Sequence, residues 1–464
     1  MVCGLLQDIK ASILNRTQLL VTYIKGNIYK EFPYIFIMID KEYWKEVILD
    51  WNKKEFPVIF PRDIKVSFEL NINRVFSLIG PRRAGKTYEL FNIARQITEK
   101  YGKDKTFYVN FERPDLGVLN SADLVLMLKA YYELFPQNSA KKVWLFLDEI
   151  QNVQGWESFV RTCLDEGIKV FISGSSSKLL SKEVATSMAG RNLAYTILPL
   201  SFKEFLSFKK FDLKKAYSSG EKSQLLNYFE EYSKFGGYPE SVLFPSEREK
   251  ILKDIFDTAI FKDILERHKI RNSILLRNLI KALLSAKEFS INRFYNYLKS
   301  QQIRSSKDAL YKYLGYLEDA FFVFKLNKFD LSYKKTEQSL PKVYFIDNGI
   351  LTNNQIDDKG RLLENLVFLE LTRRESNLSY FQNVSKEEVD FLVRNGKKVK
   401  QLIQVCHNIS DYQTKDREIR PLIKASKKFK CNNLLILTNS QDEELIIEGK
   451  KLIVKSVWKW LLEN

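Results

Sequence analysis

Histidine is almost absent from this chain: its 464 residues contain two, His268 and His407. That excludes metal centres built from several imidazoles. Cysteine is nearly as scarce. Cys3, Cys163, Cys406 and Cys431 are scattered without C-x-x-C spacing, which argues against a disulfide scaffold or a zinc ribbon. No run reaches the roughly 18 apolar residues that a bilayer span requires, so no membrane partner is expected. The first ten residues, Met1 to Lys10, lack the basic-then-apolar order of a secretory signal, and a cytoplasmic location is the expectation. Low-complexity linkers and internal repeats are missing as well.

What is abundant is positive charge. Lys and Arg number 74 against 57 Asp and Glu, a net charge of +17. Such a balance favours polyanions, double-stranded DNA first among them, because neutralising phosphates releases counterions. A solvated lysine-rich surface is the bland alternative. Hydrophobic residues make up 45% of the chain, enough for folded cores. At about 100–200 residues per domain the length predicts three or four domains.

The strongest motif is Gly80-Pro81-Arg82-Arg83-Ala84-Gly85-Lys86-Thr87, which fits G-x-x-x-x-G-K-[ST]. In that pattern backbone N–H groups cradle phosphates and the lysine reaches the β and γ oxygens. An apolar, β-branched run at 75–79 precedes it, and helical spacing follows from Tyr88. Strand, glycine-bounded loop and helix N-terminus together make an anion site. The expected phosphate binders are Gly80, Arg83, Ala84, Gly85, Lys86 and Thr87, and the expected ligand is ATP. Downstream, Val143-Trp144-Leu145-Phe146-Leu147 runs into Asp148-Glu149. Such a strand lies beside the loop; its first acid, with Thr87, holds Mg²⁺. Glu149 stands where a carboxylate orients and deprotonates water. Ser173, at the end of a further strand, is a candidate sensor of the γ-phosphate. Arg191 is either a sensor, an arginine finger reaching into a neighbour in a homo-oligomer, or a surface residue.

Organisation along the chain follows hydrophobic periodicity. Residues 1–65 read as a lead-in segment. Over 66–200, strands at 75–79, 106–111, 143–147 and 170–173 alternate with helices, the sign of an α/β parallel sheet. A helical lid follows at 201–270. Residues 271–350 read as three helices and a β-wing, with Ser290 capping the second helix and Ser305 with Asp308 forming a capping box on the third. That third helix, 307–317, would be the recognition helix of a winged helix-turn-helix, presenting Lys307, Tyr311 and Lys312 to phosphates. Residues 351–464 form a second α/β unit, with a helix at 362–372 and strands near 389–393, 402–406 and 434–437.

The motif order then shows a resemblance. Leu147-Asp148-Glu149-Ile150-Gln151, Ser173-Gly174-Ser175-Ser176-Ser177, Gly190-Arg191, Leu198-Pro199-Leu200-Ser201-Phe202, Phe235-Gly236-Gly237-Tyr238-Pro239-Glu240 and Phe345-Ile346-Asp347-Asn348-Gly349 follow the phosphate loop in turn. From about residue 61 onward the chain resembles the AAA+-type ATP-binding proteins of archaea and bacteria that carry an uncharacterised C-terminal domain. The resemblance implies an AAA+-like core, a winged-helix module and a C-terminal domain similar to PD-(D/E)XK nucleases. In that nuclease pattern Glu364 matches the helix acid and Asp390 the strand acid. The third position departs: Gln404-Val405-Cys406 stands where Glu-x-Lys is expected, which weakens metal binding and removes the usual lysine. The nuclease-like unit is therefore read as degenerate.

Three functions compete on this reading. The first is a Mg²⁺-dependent ATPase coupled to DNA binding or remodelling. The second is an ATP-gated DNA nuclease of a mobile-element or defence system. The third is a nucleotide switch acting on protein partners alone.

Overall fold

The computed structural model describes residues 39–64, 66, 68, 72–139, 142–176, 190–330, 339–374 and 377–463. Residues 1–38 of the expected lead-in lie outside these, as does Ser177. Seven strands come first: β1 (Val75–Ile79), β2 (Thr106–Asn110), β3 (Leu119–Asn120), β4 (Trp144–Asp148), β5 (Val153–Gln154), β6 (Lys169–Gly174) and β7 (Asn192–Thr196). Five of them form one sheet in the order β2-β4-β6-β1-β7, every neighbouring pair parallel. All five residues of β1 and of β4 are buried, the pattern of a strand covered on both faces. Burying each Val, Leu, Ile or Phe side chain contributes about 1.5–3 kcal/mol. Because the strands run one way, their C-terminal ends open on a single edge, where open α/β sheets hold ligands.

The strand carrying Asp148 is not the direct neighbour of the loop strand, since β6 lies between β1 and β4. Its acid still reaches the loop because helix Lys86–Tyr101 starts above that edge. The helix buries Leu90, Phe91, Ile93, Ala94 and Ile97 against the sheet. Helix Lys41–Lys53 buries Trp44, Val47, Ile48 and Trp51, and Trp51 Nε1 donates to Thr106 O at 3.0 Å. This part of the lead-in is thereby fastened to β2.

Helices Phe202–Phe208, Ser219–Phe235, Pro239–Leu243 and Arg248–Thr258 follow, the last running straight into a π-helical stretch, Ala259–Glu266. Next come helices Ser273–Ser285, Ile291–Ser300 and Lys307–Asp319. Ser290 caps the second, accepting from Arg293 N at 3.3 Å. The third is capped by Ser306, which accepts from Ala309 N at 3.1 Å, and not by Ser305. Ser305 Oγ instead donates to Ile303 O at 3.4 Å, so the cap falls one residue later than expected and Asp308 lies outside a capping box. An antiparallel hairpin then forms from β8 (Val323–Leu326) and β9 (Lys342–Phe345). On its other side β9 meets the 287–289 segment, through Val343 N to Lys287 O at 2.9 Å and Phe289 N to Pro341 O at 3.1 Å.

The C-terminal sheet holds β10 (Asn377–Gln382), β11 (Glu388–Asn395), β12 (Lys398–Val405), β13 (Leu434–Thr438), β14 (Glu443–Ile447) and β15 (Lys450–Ser456), ordered β10-β11-β12-β13-β15-β14. Helix Lys359–Arg373 precedes it, and helix Tyr412–Phe429 bridges the parallel pair β12 and β13. Pro421 inside that second helix hides it from sequence reading, since proline breaks most helices. Its buried Ile419, Leu422, Ile423 and Ala425 keep helical spacing all the same. Leu326 and Tyr344 of the hairpin share a core with Leu363, Leu366, Val367 and Phe391. The hairpin is consequently anchored to the C-terminal unit through its apolar side.

Candidate nucleotide site and a second acidic cavity

The phosphate loop leaves β1 at Gly80, whose φ is +154°. A Cβ there would stand 2.0 Å from Ile197 O on the neighbouring chain segment, so only glycine fits. Gly85 is left-handed, φ 102°, and begins helix Lys86–Tyr101. Lys86 curls back over the loop: its Nζ donates to Gly80 O at 3.1 Å and Pro81 O at 3.0 Å, and lies 3.6 Å from Glu149 Oε1. Thr87 Oγ1 donates to Asp148 Oδ2 at 2.7 Å, and Tyr108 OH donates to the same oxygen at 2.7 Å. Ala84 is buried, and its carbonyl accepts from Arg62 Nη1 at 2.8 Å. Arg83 turns outward, φ 62°, to Glu240 at 2.9 Å and Asp254 at 2.7 Å.

The two acids experience opposite fields. Burial, then the neighbouring Glu149 charge, pushes Asp148 above the usual carboxylate range. Glu149 is buried too, yet Lys86, the Gln151 amide, Arg82 and Arg267 hold it below that range. Glu149 also adopts a left-handed backbone, φ 53° and ψ 44°, a conformation that costs a non-glycine residue about 1–2 kcal/mol. The fold therefore holds it in place against local preference. Thr87 and Asp148 offer adjacent hard oxygen donors, one of them a buried carboxylate that lacks a compensating charge. That donor set fits Mg²⁺, which takes one or two carboxylates and keeps several waters.

Ser173 does not face the loop. Its hydroxyl donates to Asp148 Oδ1 and accepts from Glu149 N at 3.1 Å, so it orients the acid pair. Arg191 lies elsewhere altogether. Its carbonyl accepts from Val75 N, at the start of β1 and thus the far end from the loop, and its guanidinium pairs with Asp165 at 2.5 Å. A sensor role within the same chain is excluded by that placement, because parallel β1 and β7 set Arg191 one strand length from Gly80.

Around the loop is a cavity of 760 Å³, lined by Lys86, Thr87, Arg82, Asn110 and Glu112 on one side. Its other wall is apolar, with Val58, Phe60, Tyr88, Leu243 and Phe244. Sequence reading missed that wall and its anchor, Arg62. This side chain is 6% exposed and pairs with Glu204 at 2.7 Å, and also donates to Leu198 O at 2.7 Å. The Phe60-Pro61-Arg62-Asp63 turn was its only local signal.

A second cavity, of 770 Å³, opens in the C-terminal unit and is lined by Glu364, Asp390, Gln404, Glu388 and Lys342 among others. The three residues named from sequence do converge here. At its centre, however, sits an ammonium: Lys342 Nζ lies 2.9 Å from Glu364, 2.7 Å from Glu388 and 2.9 Å from Asp390. Tyr344 OH also donates to Glu364 Oε1 at 2.7 Å. Gln404 turns its oxygen to Asp390 N at 3.3 Å and its amide to Glu418 at 2.7 Å. Burial lifts Asp390 to about 7, with Lys342 opposing and Glu364 reinforcing. Burial also works against Glu364, yet Lys342 holds it below the usual range. Among the described residues no group of three or more His, Cys, Asp or Glu is arranged to hold a metal ion. In this arrangement Lys342 stands among the three carboxylates as their counter-charge. Among the described residues, no helix is long and apolar enough to cross a membrane.

Comparison with known proteins agrees with the site geometry. A family model described as an AAA domain matches residues 72–206, and two described as domains of unknown function match 226–359 and 359–457. An uncharacterized protein of Methanocaldococcus jannaschii is 43% identical over 446 residues, covering 92% of this chain and 96% of its own. An uncharacterized protein of Haemophilus influenzae is 30% identical over 395 residues, covering 83% and 93%. Among solved structures, the Aeropyrum pernix ORC2 protein in its ADP form aligns at 12% identity over 72% of this chain and 96% of that one. Its TM-score of 0.30 is too low to carry an argument. The phosphate loop, the parallel sheet and the AAA-domain match therefore stand in a chain that belongs to the family of the M. jannaschii protein.

Proposed function

We propose that the protein is an AAA+-type ATPase whose nucleotide cycle acts on nucleic acid, with double-stranded DNA as the favoured partner. The observation that carries the reading is the Thr87–Asp148 contact at 2.7 Å beside Lys86. Loop, metal acid and candidate water-activating acid meet at one sheet edge. In the proposed reaction Lys86 and the loop amides bind the phosphates, and Thr87 with Asp148 would hold Mg²⁺. When bound, that ion would supply positive charge to the phosphates. Glu149 orients a water and takes its proton, Ser173 keeps the acid pair in register, and the apolar wall receives the base.

The DNA half of the proposal rests on the +17 net charge and on helix Lys307–Asp319, where Tyr311 is 56% exposed and Lys307 and Lys312 are exposed beside it. Three helices followed by the β8–β9 hairpin support a winged-helix reading of 271–350. The same proposal assigns 66–200 to the ATPase core, 201–270 to the lid and 351–464 to a nuclease-like fold without cleavage chemistry. The test is ATP hydrolysis with and without double-stranded DNA across a salt series. Stimulation that fades as salt rises is the expected result. A response flat in DNA at every salt concentration removes the nucleic-acid half and leaves a switch acting on protein partners.

A further inference from the structure

We propose that Arg82 meets the γ-phosphate from within the phosphate loop, and that Asp263 on the π-helical stretch holds it while that phosphate is absent. The inference rests on reading the loop as an ATP site. Arg191 lies at the wrong end of the sheet to serve its own loop, so within one chain a cation for the transferring phosphoryl group has to be sought elsewhere. Arg83 is committed to Glu240 and Asp254 outside the loop. Arg62 is committed to Glu204 and to backbone carbonyls. Arg82 lines the cavity beside Lys86, Asn110 and Glu112.

Its partners are anions throughout. Nη1 donates to both oxygens of Glu112, at 2.8 and 2.9 Å. Nε and Nη2 fork onto Asp263 at 3.1 and 3.2 Å. A planar guanidinium bound by a two-oxygen fork is matched to phosphate as well as to carboxylate. A γ-phosphate entering the cavity presents the same acceptor pair and competes with Asp263 for it. During hydrolysis the water oxygen attacks the γ phosphorus and the bond to the β–γ bridging oxygen breaks. ADP keeps that electron pair, the water proton passes to Glu149, and Arg82 holds charge on the γ oxygens without changing covalently.

Asp263 is placed to report the exchange. Its side chain is 2% exposed, and it also accepts from Arg267 Nη2 at 3.0 Å and Ser175 Oγ at 3.0 Å. Ser175 N in turn donates to Glu149 Oε2 at 3.2 Å. Loop, candidate water-activating acid and π-helical stretch thus share one network, and that stretch leads into helix Ser273–Ser285. π-helical turns recur at functional sites. Whether Asp263 holds Arg82 decides which conformation the downstream helices join.

The experiment compares wild type, Arg82→Gln, Arg82→Lys and Lys86→Ala. It measures MgATP turnover, equilibrium affinity for ADP and for the non-hydrolysable analogue AMPPNP, and amide hydrogen exchange over residues 259–270. Arg82→Gln should lower turnover about 1,000-fold or more, the scale of a lost arginine finger. Its ADP affinity should stay within about threefold of wild type, because ADP lacks the γ-phosphate. Arg82→Lys keeps the charge without the fork and should recover only part of the rate. Wild type should show different exchange over 259–270 with AMPPNP and with ADP, and Arg82→Gln should not. Turnover of Arg82→Gln within about threefold of wild type overturns the proposal. Equal loss of ADP and AMPPNP affinity also overturns it, since that marks a structural brace of the loop. Wild type that binds no nucleotide, indistinguishable from Lys86→Ala, would instead sink the ATP-site reading and this inference with it.

Discussion

Thr87 donates its hydroxyl to Asp148 across 2.7 Å, joining residues 61 positions apart. The contact sets the loop against the strand end that carries both acids, and the proposed phosphate chemistry depends on their spacing. Replacing Lys86 by Ala removes phosphate and transition-state contacts together, so ATP hydrolysis should fall by roughly a hundredfold or more. Steady-state phosphate release measures it. Near-normal turnover would remove the site assignment.

The role proposed for Glu149 separates binding from chemistry. Glu149→Gln keeps the shape and loses the proton acceptor, so ATP binding should persist while turnover stops. Equilibrium binding and single-turnover rates on one preparation decide the point. An intact rate with lost affinity would contradict the assigned role.

Lys342 offsets three carboxylates inside the C-terminal unit. Lys342→Met leaves buried Asp390 and half-buried Glu364 and Glu388 without their cation, a loss of up to about 3–5 kcal/mol by analogy with broken buried ion pairs. Combining it with Glu364→Gln and Asp390→Asn should recover part of that stability. Denaturant melts of the single and triple variants test this, and an unchanged midpoint for Lys342→Met would show that the ammonium is not needed there. Wild-type cleavage of DNA that requires Mn²⁺ would contradict the proposal that this unit lacks cleavage chemistry.

Gly80 permits the close approach of the loop to Ile197. Gly80→Ala places a Cβ 2.0 Å from Ile197 O, against a hydrogen bond of 2.6 Å from Ile197 N to Ile79 O. The backbone must separate, costing on the order of 2 kcal/mol or more. The melting temperature should drop and nucleotide binding should weaken with it; a variant with wild-type values in both would refute the packing argument.

Asp347 links the turn after helix Ser219–Phe235 to the segment after β9. It accepts from Gly237 N at 2.7 Å and Gly349 N at 2.8 Å. Burial raises it to about 7, with both backbone donors and Arg373 opposing. Between about pH 4 and 7 the folded state therefore holds a proton that the unfolded chain has released. Stability falls as pH rises through that window, by an amount on the order of a few kcal/mol at its upper end. The non-titrating variant Asp347→Asn lacks this term, so wild type should compare more favourably with it at pH 5 than at pH 8. Parallel melts at the two pH values measure the difference. A constant gap would mean that Asp347 does not titrate there.

Much of the nucleotide site was readable because its parts are local. The octapeptide, the Asp148-Glu149 pair and the hydroxyls after β6 each follow an apolar run directly, and β1, β4 and β6 occur where periodicity predicts them. The strand order was not readable: nothing local says that β6 inserts between β1 and β4. Nor was Arg191's position, since a loop arginine has no spacing rule that fixes which sheet edge it faces. The Pro421 helix was hidden by a residue that usually ends helices and here sits within one.

Sequence by itself determined the parts whose chemistry is carried by neighbours in the chain: a phosphate loop between strand and helix, an acidic pair ending a buried strand, a positive net charge. Tertiary structure alone decided the long-range ion pairs. Arg82 meets Asp263 across 181 positions, Arg62 meets Glu204 across 142, and Lys342 meets Asp390 across 48. The physical reason is the range of the forces. Backbone geometry and hydrophobic periodicity act over a few residues and leave a pattern in the string. A buried charge is satisfied by whichever opposite charge the fold brings within about 3 Å, whatever its place in the chain.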